Sequence, residues 1–149
     1  MKRHYTNLSR LSTYPVFEPD SRDLEMLSIA GALAVSSNCS PHKVGAVIFR
    51  RNRVLARGYN RLGGHPFQFR WNRKGTTLHA EMHALILASK DREAVEGASI
   101  AVARHSRKST NGCSYPCNRC LPALEYAGLK NVICFSENDI PVKVRLSCE

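Results

Sequence analysis

One histidine and two cysteines restrict this chain more than any other feature. They sit in His79-Ala80-Glu81 and, further on, in Pro116-Cys117-Asn118-Arg119-Cys120. An imidazole and two thiolates make a three-ligand zinc site. Structural zinc normally closes with a fourth protein ligand, whereas catalytic zinc leaves that position to water. Glu81 is a poor fourth ligand but is well placed to move protons; its bland reading is a solvated carboxylate at a helix start. His79 and Glu81 are two residues apart, so on a regular helix they point to nearly opposite sides. Both serve one metal only if His79 lies where the chain is still entering the helix, and that placement is predicted. Cys117 and Cys120, three apart, share one side of a helix with Pro116 in its first turn. The positive end of that helix favours thiolates over thiols. A redox pair is the competing reading of C-x-x-C, and the upstream histidine favours metal.

A chain of 149 residues with 43% hydrophobic content suits one folded domain, read here as residues 1–149. Apolar runs are far too short for a membrane span, and Met1-Lys2-Arg3-His4 leads into no apolar segment of a secretory signal. With six cysteines and no export signal, a reducing cytoplasm is expected. The net charge is +10, and no acidic residue falls between Glu25 and Glu81 or between Glu96 and Glu125. Both intervals flank the metal motifs, and a field of this sign attracts a phosphate-bearing substrate, nucleotide or polynucleotide. A basic surface with no specific partner is the alternative.

Taken in order, residues 1–19 read as an arm, with Pro15 and Pro19 as breakers. Asp20 caps a helix whose face carries Leu24, Leu27, Ala30 and Ala34 and which ends near Ser36 to Asn38. Val44–Phe49 and Val54–Tyr59 read as a hairpin, and residues 62–77 as a long loop beside the active site. A helix from His79 to Lys90, a strand Ile100–Ala103 and a polar basic loop Arg104–Gly112 follow. A helix Cys117–Tyr126 closes at Gly128, with Pro122 kinking it or delaying its start. Val132–Phe135 is the next strand, and Ile140–Leu146 a candidate edge strand. This alternation implies an α/β domain with a mixed sheet covered by helices.

The wording around these motifs resembles the cytidine deaminase-like zinc family, and within it the deoxycytidylate deaminases. The resemblance rests on Lys43-Val44-Gly45-Ala46-Val47-Ile48, Gly58-Tyr59-Asn60, His79-Ala80-Glu81, Tyr115-Pro116-Cys117-Asn118-Arg119-Cys120, Ala127-Gly128 and Val132-Ile133, and covers roughly residues 21–138. It implies a three-layer α/β/α fold with a mixed sheet of about five strands. It also implies one catalytic zinc on His79, Cys117 and Cys120, a homo-oligomer, and hydrolysis of a cytosine nucleotide, dCMP to dUMP with release of ammonia. Glu81 would relay a proton from the zinc-activated water to the ring nitrogen and then to the departing amine. The resemblance also assigns substrate contacts to the Ala80 backbone N–H and to Asn60, which the sequence alone reads equally as a strand-end turn residue. Tyr115 stands before Pro116, where tRNA adenosine deaminases usually carry an acid and polynucleotide cytidine deaminases often a serine, so it favours a free nucleotide.

Other residues stay open. His83, four after His79, reads as a packed or hydrogen-bonded helix residue rather than a ligand. Some deoxycytidylate deaminases carry a second, structural zinc; Cys39, His42 and Cys113 are loosely suggestive of one, and ordinary thiols are the stronger reading. Cys134 reads as core, and Cys148 has no assignable role. Phe67, Phe69 and Trp71 alternate among Arg70, Arg73 and Lys74, which suits base stacking on single-stranded nucleic acid, a dimer contact or a lid. The alternatives to a nucleotide deaminase are therefore the same chemistry on a base in single-stranded DNA or tRNA, and a non-catalytic zinc-stabilised nucleic-acid-binding module.

Overall fold

The expected hairpin forms, and two glycines decide what packs on it. In the computed structural model, which describes residues 14–39, 42–72, 77–91, 94–105 and 113–146, its strands are β2 (Lys43–Arg50) and β3 (Arg53–Tyr59). Helix α1 (Ser21–Ala34) crosses one face and α3 (Ala80–Lys90) the other. A Cβ on Gly45 would lie against the Ala30 carbonyl oxygen and 2.8 Å from Ala34 N, both α1 backbone. A Cβ on Gly58 would lie 2.5 Å from Ala84 N and 2.6 Å from Ala80 O, both in α3. Only glycine lets backbone approach backbone this closely.

The main sheet has six strands in the order β1-β8-β7-β6-β2-β3, with β1 Val16–Phe17, β6 Ser99–His105, β7 Asn131–Phe135 and β8 Pro141–Arg145. Only β6 and β7 run parallel, and α4 (Cys120–Tyr126) makes the crossover between them. Helices α3 and α4 lie on one face, with Met82, Leu85, Leu121 and Leu124 in one cluster with Ile48, Ile100 and Val132 of the sheet. Helix α1 lies on the other, with Met26, Leu27 and Ala30 against Val47, Phe49, Ala101 and Ile133. Each large aliphatic side chain so buried contributes about 1.5–3 kcal/mol. This is the expected three-layer α/β/α architecture. Among the described residues no helix is long and apolar enough to cross a membrane.

Several expectations are corrected. The sheet has six strands rather than about five because residues 16–17, assigned to an arm, pair with Val144 and Lys143. The same pairing makes β8 internal instead of an edge. Leu24 is 43% exposed; its place on the buried side of α1 goes to Asp23. That carboxylate accepts the Asp20 N–H in a reciprocal capping box and pairs with Lys143 Nζ at 3.2 Å, which compensates its burial. The span 62–77 is not a bare loop. Strands β4 (Arg61–Leu62) and β5 (Thr77–Leu78) pair, and α2 (Pro66–Phe69) lies between them. Strand β6 runs on through Arg104 to His105. Regular helix begins at Cys120, not Cys117. Pro122 then falls in the first turn, where a missing N–H removes no intrahelical bond, while Pro116 lies outside the helix. Gly128 (φ 84°) ends α4 as expected: Leu129 N–H donates to Leu124 O and Gly128 N–H to Glu125 O. The arm before residue 14, Arg73, Lys74, residues 106–112 and Cys148 lie outside the described residues.

Gly45→Ala and Gly58→Ala should each destabilise the fold by about 3 kcal/mol, the upper end for overpacking, because the obstructing atoms are helix backbone. Urea denaturation checks this; a loss within 0.5 kcal/mol, roughly the surface-substitution range, would refute the close-approach argument.

Candidate active site

The site is assembled where the N-terminus of α3 meets the turn before α4. His79 is the N-cap of α3, with extended backbone (φ −72°, ψ 150°), and Glu81 lies in the first turn. The predicted placement of His79 at the helix entrance is therefore what the chain adopts. The junction is held by Gln68, which is fully buried: its Oε1 accepts the His79 N–H at 2.7 Å and its Nε2 donates to Thr77 O at 2.7 Å. On the other side, Ser114 staples the motif segment across the parallel strands. Its Oγ donates to Val102 O at 2.7 Å and accepts the Phe135 N–H at 2.8 Å.

His79 Nδ1 lies 3.7 Å from Cys117 Sγ and 3.2 Å from Cys120 Sγ, and the three ligand atoms are all within 4.8 Å of one another. Tetrahedral zinc with ordinary Zn–N and Zn–S bonds would set N···S at about 3.6 Å, so the donor set fits a zinc ion with small adjustment. Among the described residues this is the group that gathers, and it supplies three ligands, not four. Cys120 N–H donates to Cys117 Sγ at 3.4 Å, turning the sulfur toward the group. Cys117 is pulled down to about 4, foremost by the hydrogen bond from the Cys120 thiol. The same bond, with burial, pushes Cys120 well above the usual thiol range. His79 is raised, chiefly by its hydrogen bond with Cys117. Burial pushes Glu81 up against the opposing charge of His79, with Cys117 adding to the rise. Glu81 is only 5% exposed.

A cavity of about 520 Å³ opens onto this group, within the range of small-molecule sites. His79, Ala80, Glu81 and Cys117 line it, as do Asn60 and Tyr115; Cys120 lies behind, almost fully buried. Burial pushes the Tyr115 phenol up to about 12, so it stays a neutral donor. Asn60 also braces the backbone around it. Its Oδ1 accepts Val44 N–H at 2.8 Å and its Nδ2 donates to His42 O at 2.9 Å. The strand-end reading of Asn60 is therefore the one its hydrogen bonds show, at a position that also lines the cavity. His83 Nδ1 meets the Tyr59 backbone at 3.1 Å, away from the metal group. Among the described residues, Cys39, His42 and Cys113 do not join a ligand group. The His42 ring instead faces the Arg104 guanidinium at 2.6 Å, a poor neighbour for a cation. Cys134 is fully buried, as expected of core. The aromatic alternation splits: Phe67 and Phe69 are 38% and 40% exposed, while Trp71 turns inward against Tyr126, with Arg70 over both rings.

Sequence reasoning missed Gln68 and Arg104. The one signal for Gln68 is that it alternates with two outward phenylalanines, so it faces inward. Arg104 gives none, because its loop reading hides the strand that aims it at the cavity.

The chain matches the model of the cytidine and deoxycytidylate deaminase zinc-binding region over residues 20–136. ComE operon protein 2 of Bacillus subtilis (strain 168) is 34% identical over 109 residues, 67% of this chain and 51% of that protein. Deoxycytidylate deaminase of Schizosaccharomyces pombe is 32% identical over 132 residues, 76% of this chain but 36% of that protein. The chain thus spans about half or less of these two relatives. Deoxycytidylate deaminase of Mycobacterium phage D29 is 31% identical over 129 residues, 74% of this chain and 91% of the phage protein. Among solved structures, dCMP deaminase from the cyanophage S-TIM5 in complex with dCMP and dUMP superposes with a TM-score of 0.58 at 25% identity, covering 78% of this chain and 82% of that one. With the zinc-ligand geometry and these likenesses in agreement, the chain belongs to the cytidine and deoxycytidylate deaminase family.

Proposed function

We propose that this chain hydrolyses dCMP to dUMP and ammonia. One observation carries the reading: a buried carboxyl group, Glu81, its pKa raised by that burial, lines a nucleotide-sized cavity beside a three-ligand His/Cys/Cys group. His79, Cys117 and Cys120 would hold the zinc ion. Zinc held there supplies the Lewis acidity that makes water a nucleophile at neutral pH.

The protein's own groups then do the following. Ala80 N–H lies in the first turn of α3, has no intrahelical partner and is free to meet the base edge. Asn60 and Tyr115, which line the same cavity, orient the nucleoside. Glu81 accepts the proton of the attacking water and delivers it to ring N3. It then takes the proton of the new C4 hydroxyl and passes it to the amino nitrogen, so that the C4–N bond breaks as C4=O forms and ammonia leaves. Its low exposure keeps bulk water from exchanging that proton. Gln68 acts through His79, holding the ligand's backbone where the ring must point.

A second reading, deamination of a base in single-stranded DNA or tRNA, is favoured by the exposed Phe67 and Phe69 beside Arg70. Ammonia release from dCMP against release from a cytosine-containing oligonucleotide decides between them; turnover of the oligonucleotide alone would overturn the preferred substrate.

Glu81→Gln should keep stoichiometric zinc yet lower kcat by about 10²–10⁴; near-normal turnover would remove the proton-relay role. Cys120→Ala should lose the metal itself, read as zinc per chain by elemental analysis. Gln68→Leu should weaken zinc affinity by about 10-fold, the lower end for groups that support a ligand, measured by competition with a chelating dye. Unchanged affinity would mean that Gln68 serves the fold alone.

A further inference from the structure

At another part of the cavity wall the charge reverses. Arg104 lies two residues beyond Val102 on β6, on the same face of the strand and opposite Val44 of β2. Among the described residues lining the cavity, Glu81 is the sole carboxylate and Arg104 the sole guanidinium. No carboxylate is among the partners of Arg104: Nη1 donates to Cys113 O at 3.1 Å and Nη2 to His42 Nδ1 at 2.6 Å. Three of its five N–H donors remain. Its positive charge is therefore oriented by neutral acceptors without being cancelled. A ring that accepts at Nδ1 carries its proton on Nε2, so His42 keeps a donor of its own. Burial first, and the neighbouring guanidinium second, hold His42 below its ordinary range, in agreement with a neutral ring. The charge of Arg104 registers at His42 and Cys113, whereas the charges registering at Glu81 are those of His79 and Cys117. The cation and the carboxylate line one cavity from different elements, Arg104 from β6 and Glu81 from the first turn of α3.

We propose that Arg104, oriented by His42 and the Cys113 carbonyl, is the seat for the phosphate monoester of the nucleotide and makes this site select a nucleoside monophosphate over the nucleoside. This rests on the deaminase reading above, which puts the base beside Glu81 and leaves the sugar phosphate to reach toward β6. A guanidinium held in a fixed plane offers paired donors to two phosphate oxygens, which an ammonium cannot match.

The test compares the product pair dUMP and deoxyuridine by calorimetric titration of the zinc-loaded chain. Wild type should bind dUMP about 10–100-fold more tightly than deoxyuridine, the range for one or two charge-assisted hydrogen bonds. Arg104→Gln should bring the ratio close to one, and Arg104→Lys should keep an intermediate ratio. A variant that merely loosens the fold weakens both ligands and leaves their ratio intact, so an intact ratio in Arg104→Gln overturns the seat. A wild-type ratio near one overturns it as well. An oligonucleotide whose affinity depends on Arg104 as strongly as that of dUMP would assign the seat to a backbone diester and overturn the monoester. Absent turnover of dCMP with the dUMP ratio and its Arg104 dependence preserved would sink the deaminase reading and leave the seat standing.

Discussion

Two parallel strands cannot be joined by a tight turn, and that constraint at β6 and β7 organises the molecule. The chain leaves the end of β6, passes through Cys113 to Cys120, and returns along α4. The connection therefore carries both thiols over the C-terminal end of β6, where open α/β sheets form their crevices. Helix α3 feeds into β6 through a short connection, so its N-terminus arrives at the same end. His79 and the two cysteines meet because of this topology, although the histidine and the first cysteine are 38 residues apart.

Gathering these groups has an electrostatic consequence. A thiolate, a second thiol and a buried carboxylate share a small volume, and the protein alone cannot leave all of them ionised. Cys120 and Glu81 are both pushed toward their protonated forms, while Cys117 takes the charge. A divalent cation relieves this crowding by drawing both sulfurs into the ionised state. The same arrangement leaves Glu81 buried beside the His/Cys/Cys group.

The supports of the site are buried polar side chains tied to backbone. Gln68 bridges Thr77 and His79, Ser114 joins Val102 to Phe135, and Asn60 holds His42 and Val44. Each satisfies amides that the ends of strands and helices leave without partners. These bonds fix positions that the apolar core, which is not directional, leaves loose.

The sequence by itself determined the ligand set, the entrance position of His79, the hairpin, the two long helices α1 and α3 and a mixed sheet covered by helices, while its family resemblance supplied the three-layer class. Those follow from spacing and from local chemistry: a single residue between His79 and Glu81, a capping aspartate before α1, a glycine after α4. Only the tertiary structure decided that Val16 and Phe17 extend the sheet, that Leu24 turns outward in favour of Asp23, that Gln68 holds the ligand helix and that Arg104 faces the cavity. In each case the deciding partner lies on another element: Val144 and Lys143 for Val16 and Phe17, Lys143 for Asp23, His79 for Gln68, His42 for Arg104. Local periodicity records which residues lie on one face of an element. It carries no record of what that face will meet, because that is set by the order in which distant strands pair.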